Sequence, residues 1–482
     1  MPSRPVIVWF RDDLRLRDHP ALAAAVASGR PVVALYVLDE ASPGVRPLGA
    51  AARWWLDRSL AALAETLAGL GVPLVLRRGP ASIVVGAVVE ATDAAAVHWN
   101  RRYGGPEVAI DRDLKADLRR RGIEAHSFHG NVLFEPPAVR TGSGGSYRVF
   151  TAFWRACLAG PAPRSPLPMP TRPTPFAGGG DGDRLIDWGL RPSAPDWSGG
   201  LAESWVPGEA GALAGLDRFL DHGLARYGEE RDRPDLDGVS RLSPHLRFGE
   251  ISPFTVWAAV RARVVDTPEA AGSAEKFLSE IGWREFAHHL LFHAPDMASR
   301  NLQPRFDALP WRDDPAFLAA WGRGRTGQPL VDAGLRQLWR TGWMHNRVRM
   351  VAASFLVKHG LVDWRAGEAW FWDTLVDACP ANNPMGWQWV AGTGADAAPF
   401  FRIFNPVAQS EKFDPDGAYV RRWVPELAGL PTKALHAPWT AAPGVLAAAG
   451  VRLDETYPRP IVEHGFARAR ALAAFERTAR SP

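Results

Sequence analysis

Pro5-Val-Ile-Val-Trp-Phe-Arg-Asp-Asp-Leu-Arg-Leu-Arg-Asp-His19 begins without a charge and turns abruptly ionic after Phe10. The apolar, β-branched part reads as a strand buried on both faces, and the charged part as the loop that leaves it. The pattern repeats outward from there. Asp18 to Ser28 is Ala-rich and helical and stops at Gly29; Pro31 to Leu38 is the next strand; Ala50 to Leu70 is a long helix stopped by Gly71. Val72–Leu76, Ala94–Trp99 and Ile123–Phe128 read as further strands, with helices near 81–92 and 106–121. Buried strands alternating with helices predict an α/β domain over residues 1–130, built on a doubly wound parallel sheet. No GxGxxG follows the first strand, so the usual dinucleotide fingerprint is missing, and the switch point of the sheet is left as a weak binding candidate.

Residues 161–175 hold seven prolines. That density predicts a semi-rigid connection, and 131–205 is expected to be an interdomain linker. Past 205 the strand pattern disappears. Helical patterns cover about 209–225, 253–264, 274–293, 331–358 and 366–377, so 206–475 is expected to be an all-α domain. The Pro- and Gly-containing stretch Asp377–Trp389 reads as irregular.

Composition removes several classes of function. With 46% hydrophobic residues the chain has ordinary globular usage. Two cysteines, Cys157 and Cys379, supply neither a disulfide framework nor a CxxC metal site, and a reducing compartment follows. No charged segment followed by an apolar run opens the chain, and no apolar run is long enough to span a bilayer, so a cytoplasmic protein is expected. A net charge of +4 argues nothing about polyanions unless it is concentrated on one face. The 21 tryptophans are unusual; most read as core anchors.

Certain spacings carry more. Glu280, Trp283, Arg284 and Ala287 share one helix face, setting a carboxylate and a guanidinium beside an indole; the plain alternative is an exposed ion pair. Trp343, Asn346, Arg347 and Met350 repeat that geometry. Gln337–Arg349 holds Arg340, Arg347 and Arg349 without an acid, which suits phosphates and stacked bases or, more plainly, a solvated basic face. Asp377–Trp389 sets side-chain amides beside two indoles, which suits a planar heteroaromatic ligand. Val239–Pro244 brings two hydroxyls to a helix start, as either a phosphate site or an N-cap. Glu285, His289 and His293 spread over two turns, too far for one ion, and no metal is expected.

Taken in order, the motifs resemble the photolyase/cryptochrome family over nearly the whole chain. They are Val8–His19, Ser240-Arg-Leu-Ser-Pro-His-Leu-Arg-Phe-Gly-Glu-Ile-Ser252, Trp283-Arg-Glu-Phe286, Gly342-Trp-Met-His-Asn-Arg-Val-Arg-Met350, and Gly386-Trp-Gln-Trp389 through Asp396–Pro406. The Ala381–Gly392 stretch looks most like bacterial cyclobutane-dimer photolyases of class III, near the plant-cryptochrome branch.

The resemblance implies FAD in the helical domain and UV-damaged DNA as substrate. Tyr227, Val239, Ser240, Arg241, Leu242 and Ser243 match residues around the FAD phosphates. Asn346, Arg349, Asp377 and Cys379 match the shell of the flavin, and Asn383 matches the residue facing its N5. Val239 and Cys379 depart from the pattern, lacking the usual hydroxyl and the usual acid. Glu280 matches the carboxylate on the damaged bases; Trp283, Trp389 and Met350 match the lesion-pocket walls; Trp387, Trp364 and Trp311 match the electron relay. Arg231, Trp283, Arg284, Asn346, Arg347, Arg402 and Gln409 match DNA-facing positions. A dimer inside duplex DNA must be flipped out, and indole walls return roughly 1–3 kcal/mol per stacked base. Relatives that repair 6-4 photoproducts carry histidines where this chain has Asn346 and Met350, and plant cryptochromes carry Asp at 383 and Tyr at 389. Both differences favour repair of cyclobutane dimers over the alternative, a cryptochrome-like photoreceptor with little repair. The branch implies a methenyltetrahydrofolate antenna touching Glu107, with a deazaflavin or an empty site as alternatives. A monomer is expected.

Overall fold

A computed structural model describes residues 3–178, 182–396 and 402–480. Strands β1 (Val6–Phe10), β2 (Pro31–Leu38), β3 (Leu74–Arg78), β4 (Ala96–Asn100) and β5 (Glu124–Phe128) run parallel in the order β3-β2-β1-β4-β5. The chain walks outward from β1 to β3 and then returns to the other side of β1, so the switch point lies between β1 and β4. Helices α1 (Pro20–Ala27), α2 (Ala50–Gly69), α3 (Ala81–Thr92) and α4 (Gly105–Arg120) connect the strands. Every residue of β1 and of β4 is buried. Ile7, Trp9, Leu35, Val97 and Trp99 share a core with Val85 of α3 and Leu114 of α4. At roughly 1.5–3 kcal/mol for a fully buried aliphatic side chain, this explains why the strands read as unbroken apolar runs. The elements predicted for this part are present within two residues of their expected ends.

The 131–205 stretch carries the helix α5 (Phe150–Ala159), a short strand β6 (Thr174–Pro175) paired with β2, and the helix Gly199–Ser204. Beyond it the described residues are helical: Glu209–His222, Pro253–Asp266, Ala271–His293, Pro329–Thr341, Asn346–Ser354, Trp364–Thr374, Asn382–Ala391 and His464–Arg480 among others.

Two expectations are corrected. The continuous helix expected over 331–358 breaks at Gly342, whose φ of +66° ends Pro329–Thr341. His345 then starts a new helix, its Nδ1 accepting from the Arg347 amide at 3.2 Å, and Phe355–His359 follows as a π-helical turn. The stretch read as irregular contains the helix Asn382–Ala391. Pro384 lies in its first turn, where an amide hydrogen would have no helical partner anyway, so it does not break the helix.

By Cα proximity the chain forms two compact units. One is Met1–Ala225, Ser240–Pro295 and Val376–Ala381; the other is Arg226–Val239, Asp296–Leu375 and Asn382–Pro482. Among the described residues, no helix is long and apolar enough to cross a membrane.

Candidate functional site

In the first unit the switch point is filled by the chain's own ions. Arg11 is paired with Asp111 and donates to the Asn100 carbonyl. Asp13 accepts from Asn100 Nδ2 at 2.8 Å and lies 3.1 Å from His19 Nε2. Burial pushes the Asp13 carboxyl up, but His19, the Arg11 amide and Arg15 outweigh it and hold it at about 2.

The charged loop leaving β1 is the platform for the Ser240–Ser252 motif. Leu14 N donates to the Phe248 carbonyl at 3.0 Å and Arg15 Nη1 to the Gly249 carbonyl at 2.9 Å. Arg247 pairs with Asp12 at 2.8 Å, and Ser252 Oγ donates to Asp18 Oδ2 at 2.5 Å. Gly249 is required here: its φ is +64°, and a Cβ would stand 2.1 Å from the Asp12 carbonyl oxygen. On this platform the turn begins with Ser240, whose Oγ lies 3.4 Å from the Leu242 amide. Arg241 takes a left-handed φ of +53° and lies 4.4 Å over the Trp205 ring. Ser243 Oγ donates to Asp377 Oδ2 at 2.6 Å, fixing a carboxylate beside the first turn of Ser243–Arg247. Cys379 is buried, its Sγ accepting from the Ala381 amide at 3.4 Å. The nearby Arg247 donates to the Ala378 carbonyl and already has Asp12 as counter-ion, so this arginine does not need an acid at 379.

Glu280 and Trp283 are both half-buried on one face of Ala271–His293. Trp283 is stacked on Phe150 of α5, centroids 3.9 Å apart and planes 10° from parallel. Arg284 turns inward, 3.1 Å from Glu285 Oε1 and 2.9 Å from the Asn131 carbonyl. Its assignment as a DNA-facing residue therefore has no support in this geometry. Glu285 also accepts from the amides of Leu133 at 2.6 Å and Phe134 at 3.1 Å. Burial raises its carboxyl to about 7, against the opposing pull of Arg284 and those amides. His289 Nε2 accepts from the Tyr147 amide, so this helix face is taken up internally. Glu107 lies in the first turn of α4 with its carboxylate folded over Gly104, where a Cβ would come within 2.2 Å of it, a place where the helix dipole favours negative charge.

In the second unit Asn383 is buried, and its Nδ2 donates to both the main-chain carbonyl and Oε1 of buried Glu368, at 3.0 and 2.8 Å. Both amide hydrogens are engaged, so only the carbonyl oxygen is left to offer. Trp387 packs edge-on against Phe371 and Trp321, with centroids at 4.9 and 6.0 Å. Its seat exists because residue 367 is glycine: a Cβ there would stand 2.1 Å from the indole. Trp364 is fully buried and donates to Asn301 Oδ1 at 2.9 Å, while Trp311 is half-buried. The three thus run from interior to partial exposure. Trp389 and Met350 are half-buried, and Met350 Sδ lies 4.0 Å from the Nδ2 of exposed Asn346. Tyr227 is buried with Arg231 5.5 Å over its ring, and Val239 is half-buried. Arg349 donates to the Met344 carbonyl at 2.7 Å, and Arg347 is paired with Asp232 at 2.7 Å. Arg402 is exposed, and Gln409 is half-buried with no hydrogen-bond partner on Oε1. Ala397–Phe401 of the last motif lie outside the described residues.

Sequence reading missed Glu368 and Asp232, and weighed Glu285 only as a metal ligand, not as the partner of Arg284. A carboxylate inside the aromatic helix Trp364–Thr374 was a usable signal for Glu368, since an unpaired acid does not stay in such surroundings.

Known proteins resemble this chain over nearly its whole length. A family model described as DNA photolyase matches residues 6–173, and one described as FAD binding domain of DNA photolyase matches 277–477. The chain is 51% identical over 475 residues to a deoxyribodipyrimidine photo-lyase of Agrobacterium fabrum, covering 98% of each. It is 41% identical to Cryptochrome-1 of Arabidopsis thaliana, covering 96% of this chain and 69% of that one. The crystal structure of a class III photolyase from Agrobacterium tumefaciens superimposes with a TM-score of 0.96 at 50% identity, over 100% of this chain and 99% of that one.

Proposed function

The chain belongs to the photolyase/cryptochrome family, and from that premise we propose that it is a light-driven lyase for cyclobutane pyrimidine dimers in UV-damaged DNA. The observation that carries this reading is Asn383. With both amide hydrogens donated to Glu368, it has only its carbonyl oxygen left to present and no proton to give. A photoreceptor that works by protonating its flavin needs an acid there, which this residue does not provide. Asn346 and Met350 in place of histidines favour cyclobutane dimers over 6-4 photoproducts.

Each unit, taken by itself, holds side chains of the kind that bind FAD. Ser240–Ser243 with Asp377 offers hydroxyls, main-chain amides and a fixed carboxylate; Asn346, Arg349 and Asn383 offer amides and a guanidinium, with Tyr227, Val239 and Cys379 completing the set. When bound and reduced, FAD supplies the photoexcited electron that splits the dimer. The chain's own residues do the rest. Trp283, held flat by Phe150, and Trp389 stack the flipped bases, and Met350 fills the remaining wall. Glu280 hydrogen-bonds the bases. Trp387, Trp364 and Trp311 form the relay by which the cofactor is kept reduced. Arg231, Arg347, Arg402 and Gln409 face the DNA backbone beside Asn346.

We assign 1–130 to an antenna domain, 131–205 to the connection and 206–475 to the catalytic domain. Methenyltetrahydrofolate is the antenna proposed; touching it requires the Glu107 carboxylate to leave the α4 N-terminus, and mass analysis of the extracted chromophores tests the assignment. A cytoplasmic monomer accompanies this reading, with size-exclusion chromatography as the test of its state. The decisive experiment is repair. Reduced protein is mixed with UV-irradiated oligothymidine, and the thymine absorbance is followed in blue light and in darkness. Recovery only in light, lost in Glu280→Ala, is the expected result; no recovery by a flavin-loaded protein would favour the photoreceptor.

A further inference from the structure

Asp232 lies between two arginines. Its Oδ2 is 2.7 Å from Arg347 Nη2, and its Oδ1 is 3.9 Å from Arg231 Nε. Each guanidinium also rests on an aromatic ring: Arg347 lies 4.4 Å over Phe413, and Arg231 lies 5.5 Å over Tyr227. Ring and carboxylate together leave each arginine little rotational freedom, which is how a fork-shaped donor is prepared for an oxyanion. Asp232 keeps a third of its side-chain surface exposed, so this is not a sealed structural ion pair. Arg347 Nε is buried without a hydrogen-bond partner, an unused donor on the same guanidinium.

Beneath them is His345, whose Nδ1 accepts from the Arg347 amide. Burial above all lowers its pKa to about 4; Asp232 opposes this, while Arg349, Arg347 and Arg231 add to it. It is therefore neutral at ordinary pH and adds no charge of its own, and the trio Arg231–Asp232–Arg347 has a net charge of +1.

Building on the repair reading, we propose that Asp232 is a positioning residue: a built-in anion that holds Arg231 and Arg347 at the spacing of one DNA phosphate and halves their net attraction for any other polyanion. A phosphate presented at that spacing engages both forks. Intact duplex, which lacks the distorted backbone of a flipped lesion, meets two arginines already partly neutralised. Asp232 thus contributes selectivity for the lesion and subtracts from general DNA affinity.

The test measures binding of irradiated and intact duplex across a salt series, for the flavin-loaded wild type, Asp232→Asn, Asp232→Glu and Arg347→Gln. Each neutralised phosphate adds about 0.9 to the slope of log affinity against log salt. Asp232→Asn is expected to steepen the slope on intact duplex by about one such increment, to bind intact duplex several-fold tighter at low salt, and to lose several-fold in the preference for irradiated over intact DNA. Asp232→Glu is expected to restore slope and preference, which a fold defect would not allow; Arg347→Gln is expected to make the slope shallower. A slope and preference unchanged in Asp232→Asn, with wild type preferring the lesion, would overturn the proposal. A steeper slope in a protein whose wild type shows no lesion preference would support the clamp and sink the repair reading instead.

Discussion

Two stretches share one spacing and meet opposite fates. Arg284 stands four residues after Glu280 on Ala271–His293, and Arg347 stands four residues after Trp343 at the start of Asn346–Ser354. Arg284 turns inward onto Glu285, whose side chain is fully buried; Arg347 stays at the rim with Asp232, which is a third exposed. Spacing along a helix says which side chains are neighbours, but the partner's dielectric surroundings decide whether a charge supports the fold or meets a ligand.

Stability measurements sharpen this contrast, and the largest effect belongs to the inner pair. Arg284→Met leaves Glu285 buried without its counter-ion and is expected to cost about 3–5 kcal/mol in urea unfolding. A loss below about 1 kcal/mol would place Arg284 with the rim arginines.

The next effect is pH dependence. Burial pushes the Glu285 carboxyl up to about 7 in the folded chain, from an ordinary value of 4.5. A raised acid binds its proton more tightly in the native state, so its contribution falls as pH rises from about 4.5 to about 7 and is flat above. At about 1.36 kcal/mol per unit the change is on the order of 3 kcal/mol. Unfolding free energies between pH 5 and 8 should show this decline in the wild type and lose it in Glu285→Gln; parallel curves would rule it out.

A smaller effect tests the stacked wall. Phe150→Leu removes the ring on which Trp283 lies, a contact of about 0.5–1.5 kcal/mol. The expected reading is a KM for irradiated oligothymidine raised several-fold with kcat unchanged; a fall in kcat alone would mean that Trp283 is not held by Phe150. The smallest effect is at the rim, where Arg347→Gln should shift unfolding by no more than about 0.5 kcal/mol.

How much was legible follows the range of the interactions. Strands β1 to β5 and helices α1 to α4 were readable because burial on both faces writes itself as unbroken apolar runs. The break at Gly342 and the helix at Asn382 were not, since a glycine that ends a helix and a proline that starts one look alike without the capping partner. The functional motifs were readable as blocks in order. Their partners were not: Glu368 is fifteen residues from Asn383, and Asp232 is 115 from Arg347. No periodicity reaches across such separations, so what could be read was which residues matter and not what each one holds.

The close approach at Gly249 also bears on how such a chain can change over evolutionary time. The loop leaving β1 lends a main-chain amide to Phe248, the Arg15 guanidinium to Gly249 and its carboxylates to Arg247 and Ser252. Exchanging the amino-terminal sheet for a foreign one, or clipping its first twenty residues, would strand those carbonyls and the arginine at once. The two segments therefore act as a single part: a change in the loop that removes one of these partners calls for a matching change in the Ser240–Ser252 motif.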